Sequence, residues 1–243
     1  MMQNHKLVIS YDGTDYYGWQ SQPKKRTIQG LLEENLGKIT QKKITVIGAG
    51  RTDAGVHAQG QVANFRANIS LEEKELLRAL NSLLPGDIKV ISIEKTDLNF
   101  HARKMAKSKI YQYKIFNSSD IPPFLHRYVL YWPSRLNVKM MQKAALLFVR
   151  EADFSAFSSN RLLYPVRKVF SSQIEKKGKE LVYTIEANGF LRYMVRTIAG
   201  TLLEVGKDKL LPENVEKMFK EKKRSQAGPT APAKGLCLMK VIY

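Results

Sequence analysis

Apolar residues fall into two kinds of run along this chain. Alternation with polar residues predicts strands, and recurrence every three or four positions predicts helices. Lys6–Ser10 is a short β-like run, and the aromatic stretch YDGTDYYGWQ that follows reads as a turn-rich loop. From Thr27, a fair N-cap, Ile28, Leu31, Leu32, Leu36 and Ile39 share one helical face. Ile44–Ile47 is β-branched and predicts a strand running into a glycine turn, and Gln61–Phe65 restarts as a strand. Ser70 is expected to cap a helix with Glu72 and Glu73 in its first turn. That helix ends at Leu84, where LPGD stops it, and Ile88–Ile93 is the next strand.

The second half repeats this style. Ile110–Phe116 alternates as a strand, and Val138–Val149 reads as a helix. Val166–Ile174 and Leu181–Ala187 read as a hairpin turning at EKKGK. Phe190–Val205 predicts an apolar helix with Leu191, Met194, Ile198, Leu202 and Val205 on one stripe. A short helix over about Pro212–Lys222 and a strand over Leu236–Tyr243 complete the chain. The stretch RSQAGPTAPAKG before that strand reads as an ordered loop rather than a tail. Helices and strands mix without strict βαβ alternation, which argues for an α+β fold with a mainly antiparallel sheet. Two halves of similar make-up, 1–104 and 105–243, suggest a pseudo-repeat.

Charge narrows the partner. Forty Lys and Arg against 22 Asp and Glu leave +18 over 243 residues, which favours a polyanion and above all nucleic acid. The single cysteine, Cys237, excludes an intramolecular disulfide and a cysteine zinc cluster. The four histidines lack metal-ligand spacing, so no metal is expected. The N-terminus has no apolar leader core, and no apolar run is long enough to span a membrane. A cytoplasmic location is the expectation.

The candidate chemistry lies in GAGRTDAGVHAQGQVANF, from Gly48 to Phe65. Gly50 and Gly55 have the spacing of a nucleotide phosphate loop, but Val56-His57 stands where Lys-Ser/Thr is required. The dinucleotide pattern fails too, because its third glycine comes too late. What remains is a carboxylate, Asp53, two residues from Arg51 on a turn that glycines let approach a substrate closely. A guanidinium beside it favours the ionised form, suited to a nucleophile or an anionic base. The same residues also suit an Asx-turn, in which the aspartate only bonds its own backbone.

GRTDAGVHA resembles the signature of the tRNA pseudouridine synthase A family, in which the aspartate is catalytic. YDGTDYYGWQ, NSLLPGDI, FHARKMAKSKIYQYKI, NGFLRYMVRTIAGTLLEVG and AGPTAPAKGLCL resemble further blocks of that family, in order and over nearly the whole chain. The resemblance implies two α/β halves whose antiparallel sheets join into one, with a basic cleft between them. It implies a homodimer, no metal or organic cofactor, and tRNA as partner. The reaction would isomerise uridine to pseudouridine on the 3′ side of the anticodon stem-loop. The base must leave its stack for this.

The resemblance also assigns roles. Asp53 acts as nucleophile or base. Tyr111 stacks on the flipped uracil, and its hydroxyl assists at C5. Arg51 contacts RNA and helps flip the base, Arg196 pairs with the catalytic carboxylate, and Leu236 lines the uracil pocket. Arg192, one helical turn before Arg196, reads as an exposed helix arginine, and His57 reads as structural. Phe100, His101, Ala102, Arg103 and Lys104 are expected at the RNA backbone, with Lys107 and Lys109 extending the basic stretch. The segment between Phe157 and Pro165 departs from the family pattern, so Ser158, Ser159, Asn160, Arg161 and Leu162 are expected to contact RNA in altered detail. The competing readings are a non-catalytic basic RNA-binding protein and a paralogue that modifies another RNA.

Overall fold

The computed structural model describes residues 2–159 and 163–243. Among these are ten β-strands and five α-helices, the α+β class that the pattern predicts, with mainly antiparallel pairing. The chain divides into two compact units. One runs as far as Lys107 and takes in Leu238–Tyr243, and the other is Ser108–Cys237.

In the first unit, β1 (Gln3–Tyr11) lies between β3 (His57–Ala67) and β4 (Ile88–Thr96), antiparallel to both. The last strand, β10 (Leu236–Ile242), lies beside β3. Alternation along β1 buries Leu7, Ile9 and Tyr11. Helix α1 (Ile28–Thr40) buries Ile28, Leu32 and Leu36, and α2 (Glu73–Leu83) buries Leu76 and Leu80. Thr27 caps α1 as expected, its hydroxyl accepting from the Gly30 N–H at 3.3 Å.

Two expectations are corrected here. Only Ile47–Gly48 forms a strand, β2, against Asn64 and Ala63 of β3. Before it, side chains of α1 take the backbone groups a strand would need: Glu33 accepts from the Val46 N–H at 3.0 Å, and Gln29 donates to the Val46 carbonyl at 3.0 Å. Helix α2 is capped at Glu72, not Ser70. The Glu75 carboxylate reaches back to the Glu72 N–H at 3.0 Å, which closes a capping box.

In the second unit the strand order is β5 (Ser108–Asn117), β9 (Glu180–Ala187), β8 (Val166–Lys177), β7 (Glu151–Asp153). A short β6 (Leu130–Trp132) pairs in parallel with the end of β5. The predicted hairpin is β8–β9. It turns at Gly178-Lys179, where Gly178 takes the left-handed φ of 62°. Helix α3 (Val138–Leu146) packs on β8 and on α4 (Met194–Gly206). Helix α5 (Glu213–Glu221) contributes Phe219 to a ring cluster with Phe148, Phe154 and Phe157. Helix α4 starts four residues later than predicted. Tyr193 takes a left-handed φ of 63° as its N-cap, so Phe190–Tyr193 is a loop and Arg192 is not helical.

The proline-glycine stretch before β10 is ordered, as its sequence suggests. Arg224 donates to the carbonyls of Ala227 and Gly228. Gly200 and Gly228 let the stretch lie directly on α4: a Cβ on Gly200 would fall 1.7 Å from the Pro229 carbonyl oxygen.

Candidate active site

Asp53 sits between β2 and β3, half-buried, with Arg51 exposed two residues before it. The turn is held by backbone from several directions. Ala49 N–H donates to the Val62 carbonyl at 2.7 Å, and the Gln61 amide donates to the Gly50 carbonyl at 3.0 Å. Val56 N–H donates to the Asp53 carbonyl at 3.1 Å, and Gly55 takes a φ of 78° between them. Thr52 is buried. Its hydroxyl meets the Tyr11 hydroxyl at 2.8 Å, and its carbonyl accepts from the Trp19 N–H at 3.0 Å. Gly48 lies flat on Trp19, where a Cβ would come 2.5 Å from the indole. The backbone that carries the Asp53 carboxylate is thus constrained from several directions.

His57, at the start of β3, is buried. Its Nδ1 accepts from the Gly13 N–H at 3.1 Å and lies 3.0 Å from the Asp12 carboxylate. These contacts hold the N-terminal loop to the turn.

In the second unit, Tyr111 lies on β5 opposite Ile185 and is 7% exposed. Its ring meets Phe190 edge-on, with centroids 5.1 Å apart. Arg196, on the first turn of α4, is half-buried. Its Nε donates to the Ala231 carbonyl at 2.8 Å, and its guanidinium lies 5.0 Å from the centre of the Tyr193 ring. Arg192, exposed, lies 4.9 Å from the same ring. Tyr193 thus stands in strained backbone beside two arginines. Leu236, at the head of β10, is buried.

The residues expected at the RNA backbone divide by burial. Phe100 and Ala102 are buried in the first unit. Phe100 packs on Tyr243 with centroids 5.0 Å apart, and the Ala102 carbonyl accepts from the Tyr243 hydroxyl at 2.7 Å. They fix the loop that presents half-buried His101 and exposed Arg103 and Lys104. The His101 Nδ1 accepts from the Arg103 N–H at 3.2 Å, which stiffens that presentation. In the second unit, Ser158 is buried and Ser159 exposed, and the Ser159 N–H donates to the Arg192 carbonyl at 3.4 Å. Asn160, Arg161 and Leu162 lie outside the described residues.

Among the described residues no group of three or more His, Cys, Asp or Glu is placed to hold a metal ion. No described helix is long and apolar enough to cross a membrane. Spacing alone misses Phe190, whose ring meets Tyr111, and Tyr193, whose left-handed backbone lies beside two arginines. Ring contacts and backbone geometry are not carried by a linear pattern.

Residues 7–103 and 144–243 match a family model described as tRNA pseudouridine synthase. The matched stretches contain Asp53, Arg196 and Leu236, and Tyr111 falls between them. A protein described as tRNA pseudouridine synthase A from Thermodesulfovibrio yellowstonii is 44% identical over 254 residues, covering all of both chains. One of the same description from Caldicellulosiruptor bescii is 42% identical over 244 residues, again covering all of both chains. A protein described as tRNA pseudouridine synthase A 2 from Clostridium perfringens is 41% identical over its full length and that of this chain. A solved Cbf5–Nop10–Gar1 complex aligns at 13% identity with a TM-score of 0.34, over 96% of this chain and 57% of that one, a likeness too low to carry weight.

Proposed function

The chain belongs to the tRNA pseudouridine synthase family, an isomerase family, and on that premise we propose that Asp53 converts uridines of the tRNA anticodon stem-loop to pseudouridine. The reaction breaks the N1–C1′ bond, turns the uracil and joins C5 to C1′. C5 loses a proton and N1 gains one, so atoms and electrons balance without an external group. The observation that carries the proposal is the half-buried carboxylate on a glycine turn held by backbone from both sides.

Asp53 acts on the sugar or the ring, as nucleophile or as base. Tyr111 supplies a ring face for the flipped uracil, and Leu236 an apolar wall. Arg196 pairs with the carboxylate, and Arg51 contacts the RNA and helps flip the base. His101, Arg103, Lys104 and the exposed Ser159 contact phosphates. Such contacts position the RNA without reading its bases, so a region is recognised rather than a sequence. The family resemblance supports a homodimer.

Asp53→Asn tests the reading. Pseudouridines are mapped on several unmodified tRNAs, and tRNA binding is measured separately. The expected outcome is lost turnover with binding kept. Wild-type turnover would sink the role of Asp53. Modification confined to another arm would mark a paralogue with another target, and a wild-type protein that binds without turnover would be a plain RNA binder.

A further inference from the structure

We propose that Tyr16, Asp87 and Arg26 form a clamp that positions the Asp53 turn for catalysis, a role that rests on Asp53 being the reacting carboxylate. None of the three has been given a task in the reaction.

Besides the side-chain contacts of His57 and Thr52, the N-terminal loop lies on the turn backbone to backbone. A Cβ on Gly13 would fall 2.0 Å from the Val56 carbonyl oxygen, and one on Gly18, where φ is 83°, would fall 2.5 Å from that of Thr52. Gly55 N–H donates to the Tyr16 carbonyl at 3.3 Å, and Trp19 N–H to the Thr52 carbonyl at 3.0 Å. Both ends of the Thr52–Val56 turn therefore follow the loop. Neither glycine leaves slack for side chains to absorb a shift.

The loop is in turn set by Tyr16. Tyr16 is 3% exposed, and its hydroxyl donates to Asp87 Oδ1. The same hydroxyl accepts from Arg26 Nη2 at 3.0 Å, while the guanidinium lies 4.7 Å from the ring centroid and 3.6 Å from Asp87 Oδ2. The Asp87 carbonyl also accepts from the Asp12 N–H at 2.9 Å, so one residue grips the loop at its start and through Tyr16. Arg26 is tied in by its own backbone, its carbonyl accepting from the Tyr17 N–H at 3.0 Å. Burial first, and the Asp87 contact second, push the Tyr16 phenol well above its ordinary range, so it stays a protonated donor. A tyrosine that merely fills the core needs one acceptor. This one is held between a carboxylate and a guanidinium, and its backbone reaches the residue two beyond Asp53.

The test uses the full chain and a preformed tRNA stem-loop. Tyr16→Phe removes one oxygen, Asp87→Asn removes the charge, and Arg26→Lys removes the fork. Each is expected to lower the single-turnover rate about 10- to 100-fold, since about 1 Å of misplacement costs roughly that much. The Kd for RNA should stay within about twofold of wild type, and Asp87→Glu should recover part of the rate. The double variant Tyr16→Phe/Asp87→Asn should lose little more than either single one, as members of one unit do. If Tyr16→Phe does not fold, the half-exposed Arg26→Lys carries the same comparison. A wild-type rate in the folded clamp variants, with Asp53→Asn dead, overturns the clamp alone. A wild-type rate in Asp53→Asn overturns the Asp53 reading and the clamp with it. A loss that appears only in RNA affinity, or that tracks the unfolded fraction and vanishes on cooling, also overturns the clamp.

Discussion

His5 stands on the middle strand of the first unit, 1% exposed, its ring stacked on Phe65 with centroids 5.1 Å apart. Neither ring nitrogen has a hydrogen-bond partner among the described residues. Burial, and then the Lys95 charge, hold its pKa below the ordinary 6.5, against a smaller opposing pull from Glu73. A lowered pKa means that the unfolded chain takes up the proton first. The stability from a neutral His5 is therefore complete above pH 6.5 and is lost as pH falls toward the folded value. His5→Leu should unfold with a flatter pH dependence than wild type between pH 7 and 5.5. Urea denaturation at both pH values measures it, and parallel curves for the two proteins would contradict it. At Asp53, by contrast, the expected effect of substitution lies in turnover and not in unfolding.

At the scale of elements, helix α1 shapes the approach to the Asp53 turn. Glu33 occupies the Val46 N–H and Gln29 the Val46 carbonyl, which shortens β2 to Ile47–Gly48 and leaves Ile44–Val46 as a tether. Val46 is 1% exposed, so water cannot replace the lost acceptor if Glu33 is removed. Glu33→Ala should cost about 1–3 kcal/mol, the range for a buried donor left unpaired. Glu33→Gln keeps an acceptor oxygen and should cost less. Equal denaturation midpoints for the two variants would show that the Val46 N–H finds another partner. The same helix receives the loop from Tyr17 onward: Ile28 and Gln29 donate their N–H groups to the carbonyls of Gly18 and Trp19 at 3.2 and 3.0 Å. Those are first-turn donors that a helix cannot satisfy internally.

For the whole molecule, the charge of +18 sets how it meets RNA. Exposed Arg51, Arg103, Lys104 and Arg192 present cations to solvent. Each phosphate they neutralise releases counterions, so affinity falls with salt. About six such contacts on single-stranded RNA give a slope of roughly −4 for log affinity against log salt. Filter binding of an unmodified tRNA across a salt series measures that slope. A value near zero would mean that charge does not drive the encounter, and the affinity would then rest on stacking at rings such as Tyr111.

The local pattern alone determined the α+β class, the stripe of α1 with its Thr27 cap, the β8–β9 hairpin and the α5 helix, because each rests on neighbours within a few residues. The charge and the quoted motifs pointed to RNA and to this family, because residue types and spacing are linear information. Tertiary structure decided where linear signals compete. Ser70 has the chemistry of a cap, but the Glu72–Glu75 box satisfies two backbone donors at once. Phe190–Tyr193 continues an apolar stripe, but the left-handed Tyr193 breaks the helix there and places Arg192 in a loop. Phe100 and Ala102 share a motif with His101 and Arg103, yet packing on Tyr243 buries the first pair while the second stays accessible. The bond between Tyr16 and Asp87 joins residues 71 positions apart. Such contacts form only when the chain folds back on itself, and no local pattern encodes that closure.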